Sequence, residues 1–282
     1  MIAFLGMGLL GSNFTKALLK RGEVVHVWNR TTARAKAMEN YGAIAFDDVA
    51  TAVKDAKRIH VTLKDDAAVN EVLEIACSGF ASGAIIIDHT TTTAHGAAER
   101  TALWKSRGFI YLHAPVFMGP QNALESTGTM LVSGNEEVIA SVETELAKMT
   151  GKLLHFGSDS NKAAGMKLIG NLFLISMTAG VVDTLTLAKA LGINTIDVSK
   201  LFDTWNPAGM LPARLKKITS GTFNEPSWEL EMARKDTRLM MEEAAIAGKE
   251  LTVIPSIANE MDKWIAKGHG HDDWTVIGKD AV

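Results

Sequence analysis

The chain opens on Met1-Ile2-Ala3-Phe4-Leu5-Gly6-Met7-Gly8-Leu9-Leu10-Gly11, and this stretch decides how the N-terminal half is interpreted. The apolar run from Ile2 to Leu5 is typical of a buried parallel strand, and it leads into three glycines spaced G-x-G-x-x-G. The apolar residues between Phe14 and Leu19 then predict one face of a helix. Strand, glycines and helix in this order predict a dinucleotide-binding fold, and the alternative is a tight turn without a ligand.

Each glycine of the motif has its own physical reason. One permits a turn that larger residues resist, one lets the backbone approach a pyrophosphate, and one lets the helix pack close to the strand. The N-terminus of the helix would face the phosphates with free N–H groups and a partial positive charge. The predicted cofactor-binding residues at this turn are Gly6, Met7, Gly8, Leu9, Leu10 and Gly11.

The residues after the second predicted strand, Val24–Trp28, indicate which dinucleotide is bound. An acidic residue about 20 residues past the glycines binds the ribose 2′-hydroxyl of NAD, but this chain has Asn29, followed by Arg30 and Thr31. A neutral amide, a guanidinium and a hydroxyl would instead bind a 2′-phosphate through charge-assisted hydrogen bonds. The sequence therefore favours NADP(H) over NAD(H), unless Arg30 is only a solvated charge beside a turn.

Composition narrows the class of protein. The chain has 282 residues, 47% of them hydrophobic and 22% charged, with a formal net charge of −3. The length suits two domains of roughly 150 residues each, and the charge offers no basic surface for nucleic acid or a membrane. The single cysteine, Cys77, excludes a disulfide framework and a cysteine-based zinc site. Because the chain begins directly in a strand, without room for a signal peptide, we expect a cytoplasmic protein.

Strands and helices alternate as far as residue 160, which predicts a doubly wound α/β sheet whose last strands are mixed in direction. Ligands gather at the carboxyl ends of such strands, so the loops that carry Leu63, Lys64 and Thr91 should line the cofactor cleft. From residue 161 the pattern is helical alone. We therefore predict a dinucleotide-binding domain, 1–160, and an all-helical domain for substrate and oligomerisation, 161–282.

One long apolar helix is predicted between Lys162 and Lys189, ended by Gly192. Its longest uncharged run, 168–182, is shorter than the roughly 18 residues that suggest a membrane span. We therefore interpret it as a buried helix against which other helices, including those of a second subunit, pack. Further helices should begin near Thr195, Pro212, Pro226 and Pro255.

Five motifs in order resemble the β-hydroxyacid dehydrogenase family over essentially the whole chain. They are Gly6–Gly11, Asp88-His89-Thr90-Thr91, His113-Ala114-Pro115-Val116, Gly165-Met166-Lys167-Leu168-Ile169-Gly170-Asn171 and Lys235-Asp236. The resemblance implies a Rossmann-like N-terminal domain and an all-helical C-terminal domain joined by a long helix, with the active site between them. It also implies a homodimer or homotetramer.

Lys167 and Asn171 stand one helical turn apart, so both head groups can reach one point. An ammonium beside a carbonyl stabilises the charge left by hydride transfer and delivers the proton. The resemblance assigns this role to Lys167 and substrate orientation to Asn171, whereas the alternative is a snorkelling lysine and a backbone-bonded amide. It also implies that Lys235 reaches cofactor and substrate, although charges in this run are usually a solvated helix face.

The substrate loop departs from the family pattern. Where members usually read D-A-P-V-S-G-G, this chain reads His113 to Gly119, with Phe117 and Met118 replacing a serine and a glycine. An aromatic ring cannot donate a hydrogen bond to a carboxylate, so the pocket should be less polar. We expect Phe117, Met118, Gly119 and Asn122 to contact substrate, with Asn122 as the replacement donor.

The leading hypothesis is thus an NADP(H)-dependent oxidoreductase that transfers a hydride between nicotinamide and a small β-hydroxyacid or semialdehyde. Alternatives are an imine reductase-like enzyme, whose relatives generally lack the lysine, and a non-catalytic dinucleotide-binding scaffold. His269 and His271 alternate with glycines and are interpreted as a solvated turn, so no metal site is predicted.

Overall fold

The computed structural model describes residues 1–282, and its N-terminal part is built on a six-stranded sheet. Its strands are β1 (Ile2–Leu5), β2 (Val25–Trp28), β3 (Ile44–Phe46), β4 (Arg58–Val61), β5 (Ile85–Asp88) and β6 (Ile110–His113). All neighbouring strands are parallel, in the order β3-β2-β1-β4-β5-β6. This order places β1 inside the sheet. The chain adds β2 and β3 on one side of β1 and then β4, β5 and β6 on the other side, which is the Rossmann arrangement.

Helices cover both faces of this sheet. They are α1 (Leu9–Lys20), α2 (Thr32–Lys36), α3 (Val49–Val53), α4 (Asp66–Ala76), α5 (Ala94–Ser106), α6 (Pro120–Glu125) and α7 (Glu136–Ala147). The side chains of β1 alternate between two hydrophobic cores, with Ile2 and Phe4 in one and Ala3 and Leu5 in the other. A strand buried on both faces has to be apolar at every position, which explains the uninterrupted apolar run that opens the chain.

A second, three-stranded sheet carries the mixed directions that the sequence predicted. It contains β7 (Val116–Phe117), β8 (Thr129–Val132) and β9 (Lys152–His155), with β7 antiparallel and β9 parallel to β8. These strands were expected at the end of one sheet, and β3 and β7 were not predicted. Strands of three and two residues are too short to show a periodicity, and their identity depends on their neighbours.

The remainder of the chain is helical. It contains α8 (Lys162–Ala190), α9 (Thr195–Thr204), α10 (Leu211–Ser220), α11 (Leu230–Ile246) and α12 (Ile254–Trp264). The predicted starts of α9, α10 and α12 are confirmed, and α8 ends two residues before Gly192, whose φ is +69°. Helix α11 begins later than predicted, because Ser227 donates its backbone N–H and its hydroxyl to Asp273 instead of entering the helix.

The chain divides into two compact units, Met1–Leu172 and Phe173–Val282. The first holds both sheets and the first turns of α8. The second holds the rest of α8 and the four helices that follow it. A separate core of the second unit is centred on Leu230, Met261 and Trp264.

Helix α8 is long and apolar enough to cross a membrane by length and composition, and 6% of its most apolar 18-residue window is buried in this chain. The longest uncharged run within α8, 168–182, is shorter than the whole helix because charged residues lie inside it. One of them, Asp183, accepts the backbone N–H groups of Thr252, Val253 and Ile254 at 2.7, 2.8 and 3.1 Å. A carboxylate bonded in this way to a polypeptide turn does not face lipid.

Candidate active site

The three glycines after β1 serve three different purposes. Gly6 has φ +101°, and a Cβ there would overlap the carbonyl oxygen of Thr62 on β4's C-terminal side. A Cβ on Gly11 would overlap the carbonyl oxygen of Gly6 and the Thr62 hydroxyl. A Cβ on Gly8 would meet no atom within 4 Å. Gly6 and Gly11 are therefore required by the protein's own packing, whereas Gly8 leaves open space above the turn.

That open space belongs to a cavity of about 280 Å³ at the carboxyl ends of β1, β4 and β5. Three segments line it: Gly8–Gly11, Thr62–Lys64 and His89–Thr91. Thr90 joins two of them, because its hydroxyl accepts the backbone N–H of Leu63 at 3.0 Å. The structure thus places the predicted residues Leu63, Lys64 and Thr91 on the wall of one cavity with the glycine turn.

Asn29 connects the end of β2 to the glycine turn. Its Oδ1 accepts the backbone N–H of Met7 at 2.9 Å, and its Nδ2 donates to the carbonyl oxygen of Thr31 at 2.9 Å. Arg30 is exposed, and the Thr31 hydroxyl caps no backbone N–H of α2. Asn29 therefore shapes the turn through its own bonds, while the guanidinium and hydroxyl beside it remain accessible.

A buried polar network holds the loop that carries Thr90. Asp88 accepts the backbone N–H of Thr90 at 2.9 Å and the Tyr111 hydroxyl at 2.6 Å. Arg100 donates to the Tyr111 oxygen at 2.9 Å and to Asp66 at 2.8 Å. Burial raises the pKa of Tyr111 well above its usual value, which keeps the hydroxyl protonated as a donor. No sequence pattern indicated this network, because its members come from four separate elements.

Two buried histidines lie side by side under the cavity. The Nδ1 of His89 is 2.7 Å from the carbonyl oxygen of Ala114, which can only accept, so this nitrogen carries a proton. The His89 Nε2 then faces the Nδ1 of His60 at 2.9 Å. Burial lowers the pKa of His60 well below its usual value and that of His89 to about 4. Both rings are neutral at pH 7.

Acid should therefore destabilise this protein above the pH range in which carboxylates titrate. A histidine with pKa about 4 in the folded chain and 6.5 in the unfolded chain binds its proton preferentially on unfolding. Its neutral form contributes full stability above pH 6.5, and that contribution is lost progressively as pH falls towards 4. For His89 alone the loss at pH 5.5 is on the order of 1 kcal/mol.

Thermal unfolding followed from pH 7.5 to 5 measures this effect. His89→Gln preserves both hydrogen-bonding directions without a titrating group, so we expect a shallower fall of Tm with acid than in the unaltered protein. His155→Gln is the matched control because His155 lies at the surface beside Glu143. Equal pH dependence in all three proteins would contradict the assignment.

Lys167 and Asn171 meet on the second and third turns of α8. The Lys167 Nζ donates to the Asn171 Oδ1 at 3.1 Å and lies 4.2 Å from the centroid of the Phe117 ring. The lysine is 8% exposed, no carboxylate pairs with it, and burial lowers its pKa. A lysine in these surroundings releases its proton more readily than one in water, as a proton donor to a carbonyl oxygen must.

Strand β7 places Phe117 beside this lysine, and Asn122 stabilises the turn that follows the strand. The Asn122 Oδ1 accepts the backbone N–H of Gly119 at 2.9 Å, and its Nδ2 donates to the Thr127 hydroxyl at 3.0 Å. Met118 packs against the hydrophobic core of the sheet. Asn122, expected as a substrate donor, thus has both ends of its amide engaged in its own turn.

In the second unit, the structure places Lys235 on the exposed side of α11, with its Nζ 2.9 Å from a carboxylate oxygen of Asp236. His269 and His271 each lie beside a carboxylate rather than beside each other, at 2.6 Å from Asp272 and 3.4 Å from Glu229.

A Rossmann sheet, a glycine turn with open space over Gly8 and a cavity at the strand ends define a dinucleotide-binding protein. Residues 1–157 match the family described as the NAD binding domain of 6-phosphogluconate dehydrogenase. The chain belongs to this family and, within it, to the β-hydroxyacid dehydrogenases, and it is an oxidoreductase.

Several relatives align with nearly the whole chain. The chain is 25% identical to 3-sulfolactaldehyde reductase of Escherichia coli, over 98% of this chain and 94% of the relative. It is 26% identical to a probable 3-hydroxyisobutyrate dehydrogenase of Mycobacterium tuberculosis, over 88% and 86% of the two chains. Among solved structures, an imine reductase of Myxococcus stipitatus in complex with NADP+ has a TM-score of 0.92 at 20% identity, with both chains covered completely. The structural likeness confirms the fold.

Proposed function

We propose that this chain is an NADP(H)-dependent reductase or dehydrogenase of small aldehydes and β-hydroxyacids, with Lys167 as the proton donor and acceptor. The observation that carries the proposal is an unpaired, largely buried ammonium hydrogen-bonded to Asn171, in the same unit as the dinucleotide cavity. Burying such a cation costs free energy, so its retention favours a chemical role. Names of relatives, a 3-sulfolactaldehyde reductase and a 3-hydroxyisobutyrate dehydrogenase, support the same class of substrate.

The nicotinamide, when bound, supplies or accepts the hydride. Lys167 stabilises the negative charge that develops on the carbonyl oxygen and transfers a proton from its Nζ to that oxygen. Asn171 holds the ammonium through its amide oxygen and leaves its amide N–H groups for the substrate. In the oxidative direction the same Nζ, deprotonated, accepts the hydroxyl proton.

Imine reduction is the second candidate, favoured by the apolar ring of Phe117 beside the lysine and by the shared fold of the imine reductases. One assay separates the candidates. NADPH oxidation is measured with pentanal, glyoxylate, succinic semialdehyde, methylmalonate and tartronate semialdehydes, 3-sulfolactaldehyde and a cyclic imine. We expect turnover of at least one carbonyl compound above that of the imine. Oxidation with none of them would instead support a binding scaffold.

The preference for NADP(H) rests on Arg30 and Thr31. We expect Arg30→Ala to raise the KM for NADPH about 10- to 100-fold, because charge-assisted hydrogen bonds to the 2′-phosphate contribute roughly 1.5–3 kcal/mol. The KM for NADH, which lacks that phosphate, should not change. Arg34→Ala alters another exposed arginine nearby and is the control. Equal rates with NADH and NADPH in the unaltered protein would contradict the preference.

We assign Gly6–Gly11, Asn29–Thr31, Leu63, Lys64 and Thr91 to the cofactor, and Phe117–Gly119 and Lys235 to the substrate, with Lys235 also reaching the cofactor. Asn122, expected as a substrate donor, instead holds the substrate loop in place through its bonds to Gly119 and Thr127. We propose that residues 1–160 bind the dinucleotide and that residues 161–282 serve substrate binding and oligomerisation. Helix α8 then belongs to the second domain by function, although its first turns lie in the first compact unit, which ends at Leu172. We further propose a cytoplasmic homodimer or homotetramer. The apolar side chains of α8 support this oligomer, because Ile169, Leu172 and Ile175 are 62–68% exposed in the single chain and a second subunit would cover them. Light scattering of the purified protein measures the subunit number.

A further inference from the structure

The ring of Phe117 occupies the space that a side chain at Gly170 would fill. The ring of Phe117, from β7, lies against the Cα of Gly170 on α8, and a Cβ added to Gly170 would overlap the ring's Cζ and lie 2.8 Å from its Cε1. Gly170 stands three residues after Lys167, on the same face of the helix. The absence of a side chain at position 170 thus creates the slot in which the aromatic ring lies.

The same ring meets the head group of Lys167. The Nζ is 4.2 Å from the ring centroid and 3.1 Å from the Asn171 Oδ1. A cation over an aromatic face is attracted by the ring's quadrupole, and more strongly when water is excluded. The ammonium is therefore held by the ring on one side and by an amide oxygen on another.

We propose that Phe117 is the residue that positions the Lys167 ammonium and that it shifts the substrate preference, among the small aldehydes and β-hydroxyacids of the proposed function, towards compounds that place an apolar substituent beside the ring. This rests on the proposed role of Lys167. The π face carries partial negative charge and offers no donor, so a carboxylate placed against it is desolvated without a partner. An apolar substituent at the same place gains contact with the ring.

A pair of aldehydes tests this shift in preference. Pentanal and succinic semialdehyde are matched, since an ethyl group in one replaces the carboxylate of the other. We expect a higher kcat/KM for pentanal in the unaltered protein. Phe117→Ser, which introduces a hydroxyl donor and space, should reverse that ratio by about tenfold or more, as gaining one hydrogen bond to a charged group implies.

The dependence of kcat for reduction on pH tests the positioning. Reduction requires protonated Lys167, so activity falls at alkaline pH. Phe117→Leu keeps an apolar environment and removes the cation–π attraction, which should move the alkaline limb about half a unit lower. Phe117→Ser admits water and should move the limb higher. A ring that only fills space predicts no downward shift in Phe117→Leu.

A double-mutant cycle tests the slot. Gly170→Ala should lower Tm and move the alkaline limb as Phe117→Leu does, because the ring is displaced. In a Phe117→Ala protein, the same Gly170→Ala change should raise Tm, since alanine favours a helix. Gly180→Ala, elsewhere on α8 with no atom of this chain within 4 Å of the added Cβ, should change Tm equally in both backgrounds.

The outcomes separate the two proposals. Preference of the unaltered protein for succinic semialdehyde, or an unmoved pH limb in Phe117→Leu, would overturn the role of Phe117 while leaving a reductase. Turnover of no carbonyl compound by any variant would instead remove the proposed function.

Discussion

Lys167→Met is expected to lower kcat for carbonyl reduction by about 10²- to 10⁴-fold while NADPH still binds. The range is the contribution that a positioned general acid typically makes. Methionine keeps an apolar stem of similar length, so the packing against Phe117 is retained and only the proton and the charge are removed. Steady-state kinetics and a fluorescence titration with NADPH measure the two effects separately.

The folded state should tolerate this substitution. Lys167 pairs with no carboxylate, so its removal leaves no uncompensated buried charge, and we expect an unchanged or higher Tm. Lys162→Met, at the exposed start of the same helix, is the matched control and should keep full activity. Turnover retained by Lys167→Met would exclude this lysine from the mechanism.

The second large effect concerns the glycine turn, where we expect substitution of Gly11 to lower the stability of the fold and substitution of Gly8 to lower the affinity for NADPH. Gly11→Ala places a methyl group against the Thr62 hydroxyl and against the Gly6 carbonyl oxygen, a backbone atom that cannot move without distorting the turn after β1. We expect a loss of about 1–3 kcal/mol or more in the free energy of unfolding, as for other overpacked cores. Denaturant titration without cofactor measures it.

Gly8→Ala should leave that free energy almost unchanged, because the added methyl group enters open space. The same space is where a pyrophosphate would approach the N-terminus of α1, so NADPH affinity should fall about 10- to 100-fold, the loss expected when charged hydrogen bonds are broken. Gly8→Ala that binds NADPH normally would show that the dinucleotide does not cross this turn.

The sequence alone was sufficient for five of the six strands of the main sheet and for the pairing of Lys167 with Asn171. Strand β1 is buried on both faces, so its apolar run could be recognised without any neighbour. The lysine and the asparagine are linked by helical geometry, which holds wherever a helix forms. A strand repeats every two residues and a helix every 3.6 residues, so residues that are related by these periods can be predicted from the sequence.

The late start of α11 shows the limit of such reasoning. Pro226 and Ser227 are good residues for a helix start, yet Ser227 binds Asp273, which is 46 residues away in sequence. A capping preference contributes about 1 kcal/mol, and two hydrogen bonds to a buried carboxylate outweigh it. The partner could not be identified from local sequence.

For this protein, the sequence by itself determined the Rossmann-like fold, the glycine turn, the helical second half and the family, because each depends on local patterns. Only the tertiary structure decided that Phe117 lies on Lys167 and in the slot of Gly170, that His60 and His89 are neutral, and that Asn122 is engaged in its own turn. These features depend on side chains brought together from distant segments, where burial and hydrogen-bond partners set the charge and position of each group.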